Sequence, residues 1–193
     1  MQLDHTYKAS MANVRIERDN GEHVAAGETG HLLIGAVRGL SMFREYVDNP
    51  KAMADAFDER GFFRTGDLVT LDEDGWITYR ERIKDMIKVG GESVSASEVE
   101  AVMMAVAGVR EAAVVSRPDK IFGEAVVAFV VVADDTGDGH ADKIAAITAA
   151  CQTSLAKFKR PHTIRVVPEL PKIGNNKVHR QALRDMARNL EPA

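Results

Sequence analysis

The longest apolar run in the chain, Ala125–Ala133 (Ala-Val-Val-Ala-Phe-Val-Val-Val-Ala), limits the fold more than any other feature. A helix that crosses a bilayer needs about 20 apolar residues, so this run is far too short to be a span. Its β-branched content points to a strand. The lack of polar alternation means that both faces of that strand are covered. Val109–Val115 has the same character. Helix signals surround the two runs. Ser97-Glu98-Val99-Glu100 reads as a capping box opening a helix through Val106. Asp142–Ala156 repeats apolar residues at helical spacing, with Ile144, Ile147 and Leu155 on one face, and Arg180–Leu190 reads as a terminal helix. Thr163–Val167 predicts a third short strand and Asp134–Asp138 a polar loop. From about Ile83 onward the pattern predicts a compact α+β domain.

The chain before that point has another rhythm, of short strands joined by turns. Val14-Arg15-Ile16-Glu17 alternates, Asp19-Asn20-Gly21 signals a turn, and His31–Gly35 is a second apolar run. Leu68–Leu71, the turn Asp72-Glu73-Asp74-Gly75 and Trp76–Tyr79 predict a hairpin. Between them Pro50–Phe57 reads as a helix, with Asn49 as N-cap and Pro50 at the first helical position. This β-rich segment is expected to form part of a small barrel or distorted sheet. Its first strand has no obvious closing partner, and it reads as a fragment of a larger domain.

Bulk properties exclude several classes of function. With a net charge of −4 over 193 residues, the chain as a whole does not suit a nucleic-acid binder. The charge is uneven, because Lys157–Arg184 carries eight Lys or Arg and one acid, Glu169. Such a stretch is either a solvated surface or a site for a phosphate-rich ligand. Cys151 is the only cysteine, which excludes a disulfide framework, and its small apolar neighbours suggest a buried helix position. The histidines show no metal-ligand spacing, so no metal site is expected. The N-terminus lacks a charged-then-apolar signal pattern, and a cytosolic setting is the default expectation.

Three strings carry chemistry. Phe63-Arg64-Thr65-Gly66-Asp67 projects a carboxylate from a turn, where it can accept hydrogen bonds from two neighbouring hydroxyls. Arg82-Ile83-Lys84-Asp85-Met86-Ile87-Lys88 runs into Val89-Gly90-Gly91-Glu92, a charged strand entering a glycine turn. Leu170-Pro171-Lys172-Ile173-Gly174-Asn175-Asn176-Lys177-Val178-His179-Arg180 sets a lysine on a Pro/Gly/Asn-rich loop just ahead of a helix.

In this order and spacing the three strings resemble the adenylate-forming superfamily of acyl-CoA synthetases, firefly-type luciferases and peptide-synthetase adenylation domains. Gly27-Glu28-Thr29-Gly30, Arg38-Gly39 and Tyr46 extend the resemblance, which runs from about Asn13 to Leu183. The resemblance implies an ATP-dependent ligase that joins a carboxylic acid to AMP and then to a thiol. Asp67 matches the aspartate that holds the ribose hydroxyls of ATP, and Arg82 the arginine that also meets the nucleotide. Lys84 falls at the hinge, and Lys177 matches the lysine that reaches the site during adenylation. Gly90 and Gly91 match small residues that let a pantetheine arm pass, and Lys88 a position serving the second half-reaction in luciferase-like members. Phe122 falls where some CoA ligases place an aromatic against the CoA adenine, although a core aromatic is an equal reading. Lys157-Phe158-Lys159-Arg160-Pro161 matches the segment that meets the CoA phosphates, with Arg160 the first choice for that contact.

The implied layout assigns 1–82 to the end of a large ATP- and acid-binding domain, 83–85 to a hinge and 86–193 to a mobile C-terminal domain. No Ser/Thr/Gly-rich phosphate loop and no adenine- or magnesium-binding motif occurs in the chain. The expectation is that an N-terminal domain of the same protein carries them and binds most of the ATP with its magnesium. The chain alone is then expected to be inactive. Two positions depart from the family pattern. Glu81 stands where the family has Gly, and Asn176 replaces the Gly before the catalytic lysine, where a left-handed backbone suits Asn. CoA is the first choice of thiol. A carrier protein is the alternative, and a non-catalytic module binding nucleic acid through the basic stretch is the third reading.

Overall fold

The computed structural model describes residues 13–133 and 140–190, together with the backbone of 6–8. The expected loop Asp134–Asp138 lies outside the described residues. The chain divides into two compact units, Met1–Lys84 and Asp85–Ala193.

Unit 1 is an antiparallel sheet of β1 (Thr6–Lys8), β2 (Asn13–Glu17), β3 (Thr29–Gly35), β4 (Phe62–Leu71) and β5 (Trp76–Arg82). Its order is β1-β5-β4-β3-β2, so β1 and β2 form the edges. The β4–β5 turn closes as its residues predict: Asp72 Oδ1 accepts from Asp74 N at 3.0 Å and Trp76 N at 2.7 Å. One helix, α1 (Pro50–Ala56), opens with the Asn49 side chain accepting from Ala52 N at 3.0 Å. The core is small: Ile16, Val24, Val69 and Ile77, with Val14, Leu32 and Leu71 packed against them. Gly30, the second glycine of the Gly-Glu-x-Gly string, has a packing reason. A Cβ there would stand 2.5 Å from Val24 Cγ1 and 2.7 Å from the Glu17 carbonyl oxygen.

Unit 2 is built around β9 (Gly123–Val132). The long strand β8 (Val109–Asp119) runs antiparallel along one side of it. On the other side β6 (Ile87–Val89) meets β9 at Val89↔Gly123, and β10 (Thr163–Val166) runs parallel at Val127–Val130. Strand β7 (Glu92–Val94) extends the edge from β6. Alternate β9 residues point to opposite faces. Val126, Ala128 and Val130 join one core with α2 (Ala96–Met104) and α3 (His140–Ser154), through Val99, Met103, Ile147 and Cys151. Val127, Phe129 and Val131 join the other with α4 (Arg180–Arg188), through Leu183 and Ala187. The uninterrupted apolar run therefore belongs to a strand covered on both faces. A two-residue hairpin, β11 (Lys172–Ile173) and β12 (Lys177–Val178), precedes α4.

The α2 cap differs from the sequence expectation. Ser95, not Ser97, is the N-cap, and its hydroxyl accepts from Glu98 N at 3.2 Å. The Glu100 carboxylate accepts from Val114 N at 2.8 Å and faces β8. Glu98 pairs with Lys159, whose Nζ lies 2.7 Å from both carboxylate oxygens. Cys151 is buried as expected, and burial pushes its thiol pKa up. Among the described residues no helix is long and apolar enough to cross a membrane.

Candidate functional site

In unit 1 the Thr-Gly-Asp string is shaped by its own first residue. Thr65 Oγ1 donates to Leu32 O at 2.9 Å and accepts from Asp67 N at 3.0 Å, and Gly66 turns with φ +76°. The turn puts Asp67 opposite Arg82 in the β4–β5 register. Arg82 Nε donates to Asp67 Oδ1 at 2.8 Å. Fifteen residues apart in sequence, the two predicted nucleotide contacts therefore touch. They line a cleft of about 500 Å³ with Tyr46, Phe63, Arg64 and Thr65. Asp67 Oδ2 accepts no hydrogen bond from the described residues, so the carboxylate keeps acceptor capacity for hydroxyl donors.

Lys84 ends the short 3-10 turn's basic portion (Ile83–Asp85) and is the last residue of unit 1. Its neighbour Asp85 opens unit 2 and accepts from Arg184 Nη2 at 2.9 Å.

In unit 2 Gly90 and Gly91 form the tip of the β6–β7 hairpin, with φ +59° and +89°. Gly90 N donates to Phe122 O at 2.8 Å, and a methyl on Gly90 would stand 3.3 Å from Phe122 Cδ1. The Phe122 ring is 46% exposed, which removes the core-aromatic reading, and its centroid lies 6.3 Å from that of His162. Two residues that the sequence reading left without a role hold this corner. Glu124 accepts from Lys88 N at 2.6 Å and from Ser116 Oγ at 2.7 Å, while Lys88 Nζ donates to Ser93 Oγ. Asp119 Oδ1 accepts from the backbone N–H of Phe122 and of Ile121, each at 2.9 Å. Those bonds, Phe122's first, hold its carboxyl below the usual carboxylate range. Both acids were visible only as charges at the ends of a strand, a signal too common to single them out.

Arg160, expected at the CoA phosphates, bonds to backbone carbonyls in this structure. Its Nε donates to Leu155 O at 3.0 Å and its Nη2 to Gln152 O at 2.8 Å, so the guanidinium closes the C-terminal end of α3. Lys159 is held by Glu98. Lys157 is exposed, and among the described residues no carboxylate lies within ion-pair reach of it.

Lys177 is exposed on the β11–β12 hairpin, whose turn contains Gly174 at φ +50° and Asn176 at φ +63°. Asn176 thus takes the left-handed conformation expected where the family has Gly. At the hairpin's base Lys172 pairs with Glu111 at 2.9 Å. Among the described residues no group of three or more His, Cys, Asp or Glu side chains converges to hold a metal ion.

Comparison with known proteins identifies the family. Residues 98–177, ending on Lys177, match the AMP-binding enzyme C-terminal domain family. The chain is 39% identical over 173 residues to the 2,3-dihydroxybenzoate-AMP ligase of Bacillus subtilis, covering 89% of this chain and 31% of that protein. It is 40% identical over 174 residues to the 2-hydroxy-7-methoxy-5-methyl-1-naphthoate–CoA ligase of Streptomyces carzinostaticus, covering 90% of this chain and 30% of that protein. The ATP-bound crystal structure of MatB from Rhodopseudomonas palustris superposes with a TM-score of 0.78 at 31% identity, covering 92% of this chain and 34% of that one. The chain belongs to the adenylate-forming superfamily of AMP-dependent ligases. It spans about a third of the length of the relatives it matches.

Proposed function

We propose that unit 2 is the mobile C-terminal domain of an ATP-dependent acid–thiol ligase, and that unit 1 belongs to the domain that binds ATP, magnesium and the carboxylic acid. One observation supports this reading above the others: the two motif-bearing hairpins of unit 2 are anchored at opposite ends of one strand. Val89, beside Gly90, pairs with Gly123. Lys172, at the base of the Lys177 hairpin, pairs with Glu111, which lies opposite Val131. Those anchor points are eight residues apart on β9, roughly 26 Å of strand. Different faces of the unit then serve two successive reactions, a gating of the conformational kind.

In the first reaction Asp67 accepts the ribose hydroxyls and Arg82 contacts the nucleotide. The Lys177 ammonium offsets the charge that builds on the carboxylate and α-phosphate as pyrophosphate leaves. Unit 2 then turns about Lys84, withdrawing Lys177 and presenting Gly90 and Gly91, along which a pantetheine thiol reaches the adenylate. Lys88 stands beside that path. With CoA as the thiol, Phe122 stacks on the adenine. Lys157 meets the phosphates, while Arg160 keeps the segment in place by closing α3.

A carrier-protein thiol is the second reading, and the internal pairing of Lys159 and Arg160 favours it, because it leaves the segment one cation for the CoA phosphates. In the enzyme carrying its ATP-binding domain, Lys177→Ala should slow pyrophosphate release on the order of 100-fold, yet leave thioester formation from added acyl-adenylate intact. Gly91→Leu should give the reverse pattern. Equal losses in both steps for both variants would exclude the two-face reading. The thiol is decided by titrating CoA, dephospho-CoA and pantetheine against wild-type and Lys157→Ala. An advantage for CoA that Lys157→Ala removes selects CoA, and equal weak binding of all three selects a carrier.

A further inference from the structure

The catalytic reading assigns Lys177 a task but does not explain what aims it. A hairpin of two residue pairs has almost no stability of its own, and its turn is exposed. Its direction has to come from what lies on either side. The chain leaves β12 through His179, whose N–H donates to Pro171 O at 2.7 Å, and enters α4 at Arg180.

Arg180 lies three residues from Lys177, and its guanidinium ties together four elements of unit 2. Its Nη1 donates to Glu100 Oε1 at 2.9 Å and to Val114 O at 2.8 Å. Its Nη2 donates to Glu100 Oε2 at 3.3 Å, and its Nε lies 3.7 Å from Asp85 Oδ2. One turn along α4, Arg184 Nη2 donates to Asp85 Oδ1 at 2.9 Å. Glu100 also accepts Val114 N at 2.8 Å, which fixes its carboxylate against β8. Two guanidinium groups thus meet two carboxylates, all three-quarters or more shielded from solvent, with side-chain exposures of 13–25%. The pairs use the planar fork that Lys lacks.

We infer that Arg180 is a positioning residue for adenylation: through Glu100, Val114 and Asp85 it locks the Lys177 hairpin to α2, to β8 and to the first residue of unit 2. When the chain turns at Lys84, Asp85 moves with unit 2 and the hairpin follows as one body. The inference rests on Lys177 being the adenylation lysine, and the test separates the two claims.

Hydrogen exchange on the 193-residue chain reads the lock without any activity. In Arg180→Gln the amides of residues 172–179 should exchange at least tenfold faster, with β9 and α3 unchanged. Arg180→Lys should restore little, since one ammonium reaches one carboxylate at a time. Unchanged exchange at 172–179, or faster exchange throughout unit 2, overturns the lock. In the enzyme with its ATP-binding domain, Arg180→Gln should lower kcat for pyrophosphate release about tenfold at constant KM for ATP, with thioester formation from added adenylate unaffected. An equal loss in both half-reactions overturns the positioning role. If Lys177→Ala leaves pyrophosphate release intact, the adenylation role of Lys177 falls. The exchange result then still decides whether Arg180 orders the hairpin.

Discussion

Unit 2 and unit 1 solve the same problem, holding a sheet against its neighbours, with different materials. In unit 2 both faces of β9 are sealed by apolar side chains, and Val99, Met103, Phe129, Ile147 and Leu183 have at most 1% of their surface exposed. In unit 1 the hydrophobic cluster is four residues deep, and charge does more of the fixing. Glu17 is only 4% exposed and takes Arg60 Nη2 on both carboxylate oxygens, at 3.0 and 2.8 Å. Arg15 Nε lies 2.9 Å from Glu17 Oε1, at ion-pair distance but without hydrogen-bond alignment. Asp58 joins through Arg60 and accepts Phe62 N at 2.7 Å. Unit 2 therefore suffers most from lost volume, with its shielded charge contacts gathered in the Arg180–Glu100–Asp85–Arg184 cluster, whereas unit 1 is sensitive to both kinds of change.

The sharpest test removes volume from unit 2. Phe129→Ala empties a site at the centre of the α4-side core and should cost about 3–5 kcal/mol. Trp76, the only tryptophan, lies on β5 in unit 1, so its fluorescence follows that unit, while most helical signal comes from α2, α3 and α4. Denaturant unfolding of Phe129→Ala should shift the circular-dichroism midpoint and leave the Trp76 midpoint in place. Coincident shifts would show that the two units unfold as one. In unit 1 the matching volume test runs the other way. Gly30→Ala inserts a methyl 2.7 Å from a backbone oxygen. It should cost about 2 kcal/mol by overpacking, read by Trp76 alone.

The same contrast explains what could be read in the sequence. A strand covered on both faces announces itself, because nothing polar interrupts Ala125–Val132. The β4–β5 hairpin and the α1 cap were equally legible, since Asp72, Gly75, Asn49 and Pro50 act within four residues of themselves. The pairing of Asp67 with Arg82 was not, for it depends on a strand register. Nor was the fate of Arg160, whose partners are backbone carbonyls that no side-chain pattern marks. The short strands β6 and β7 hid inside a string read as a charged strand and a glycine turn. Arg180 sat within a quoted motif, but its three partners come from parts of the chain 66 to 95 residues away. Long-range charge contacts leave no local trace.

A third way to break the comparison is acid. Asp58 and Glu28 are both held below the usual carboxylate values. For Asp58 burial works the other way, but the Phe62 N–H and the Arg60 guanidinium outweigh it. For Glu28 the Ala25 N–H leads and Arg18 adds to it. Groups whose pKa is lower in the folded state stabilise that state above their unfolded pKa, and the contribution is lost as pH falls through the folded value. Among the described residues unit 1 has two such carboxylates and unit 2 one, Asp119, so unit 1 should lose more stability as pH falls below the ordinary carboxylate range, seen as loss of Trp76 signal ahead of helical signal. Glu17→Ala at neutral pH should cost unit 1 about 2 kcal/mol, between an exposed pair and a fully buried one. Simultaneous loss of both signals in acid would remove the distinction.

The smallest effect tests how much a neutral polar group contributes to unit 2 outside the Arg180 cluster. That group is the Ser95 hydroxyl, which accepts Glu98 N and starts α2. Ser97 lies 3.0 Å from it, hydroxyl to hydroxyl, within the first turn and does not cap the helix. Ser95→Ala should cost about 1 kcal/mol, and Ser97→Ala a few tenths, by urea unfolding followed at the helical signal. The difference matters more than either value, since the two serines share a turn and nearly the same exposure to solvent change. A cost at Ser95 below that of Glu17→Ala keeps the ranking in which a shielded charge contact in unit 1 outweighs a neutral helix cap in unit 2. A loss at Ser97 equal to that at Ser95 would mean that the first turn of α2 is held by the hydroxyl pair acting together, and that the stability of unit 2 also depends on a polar network.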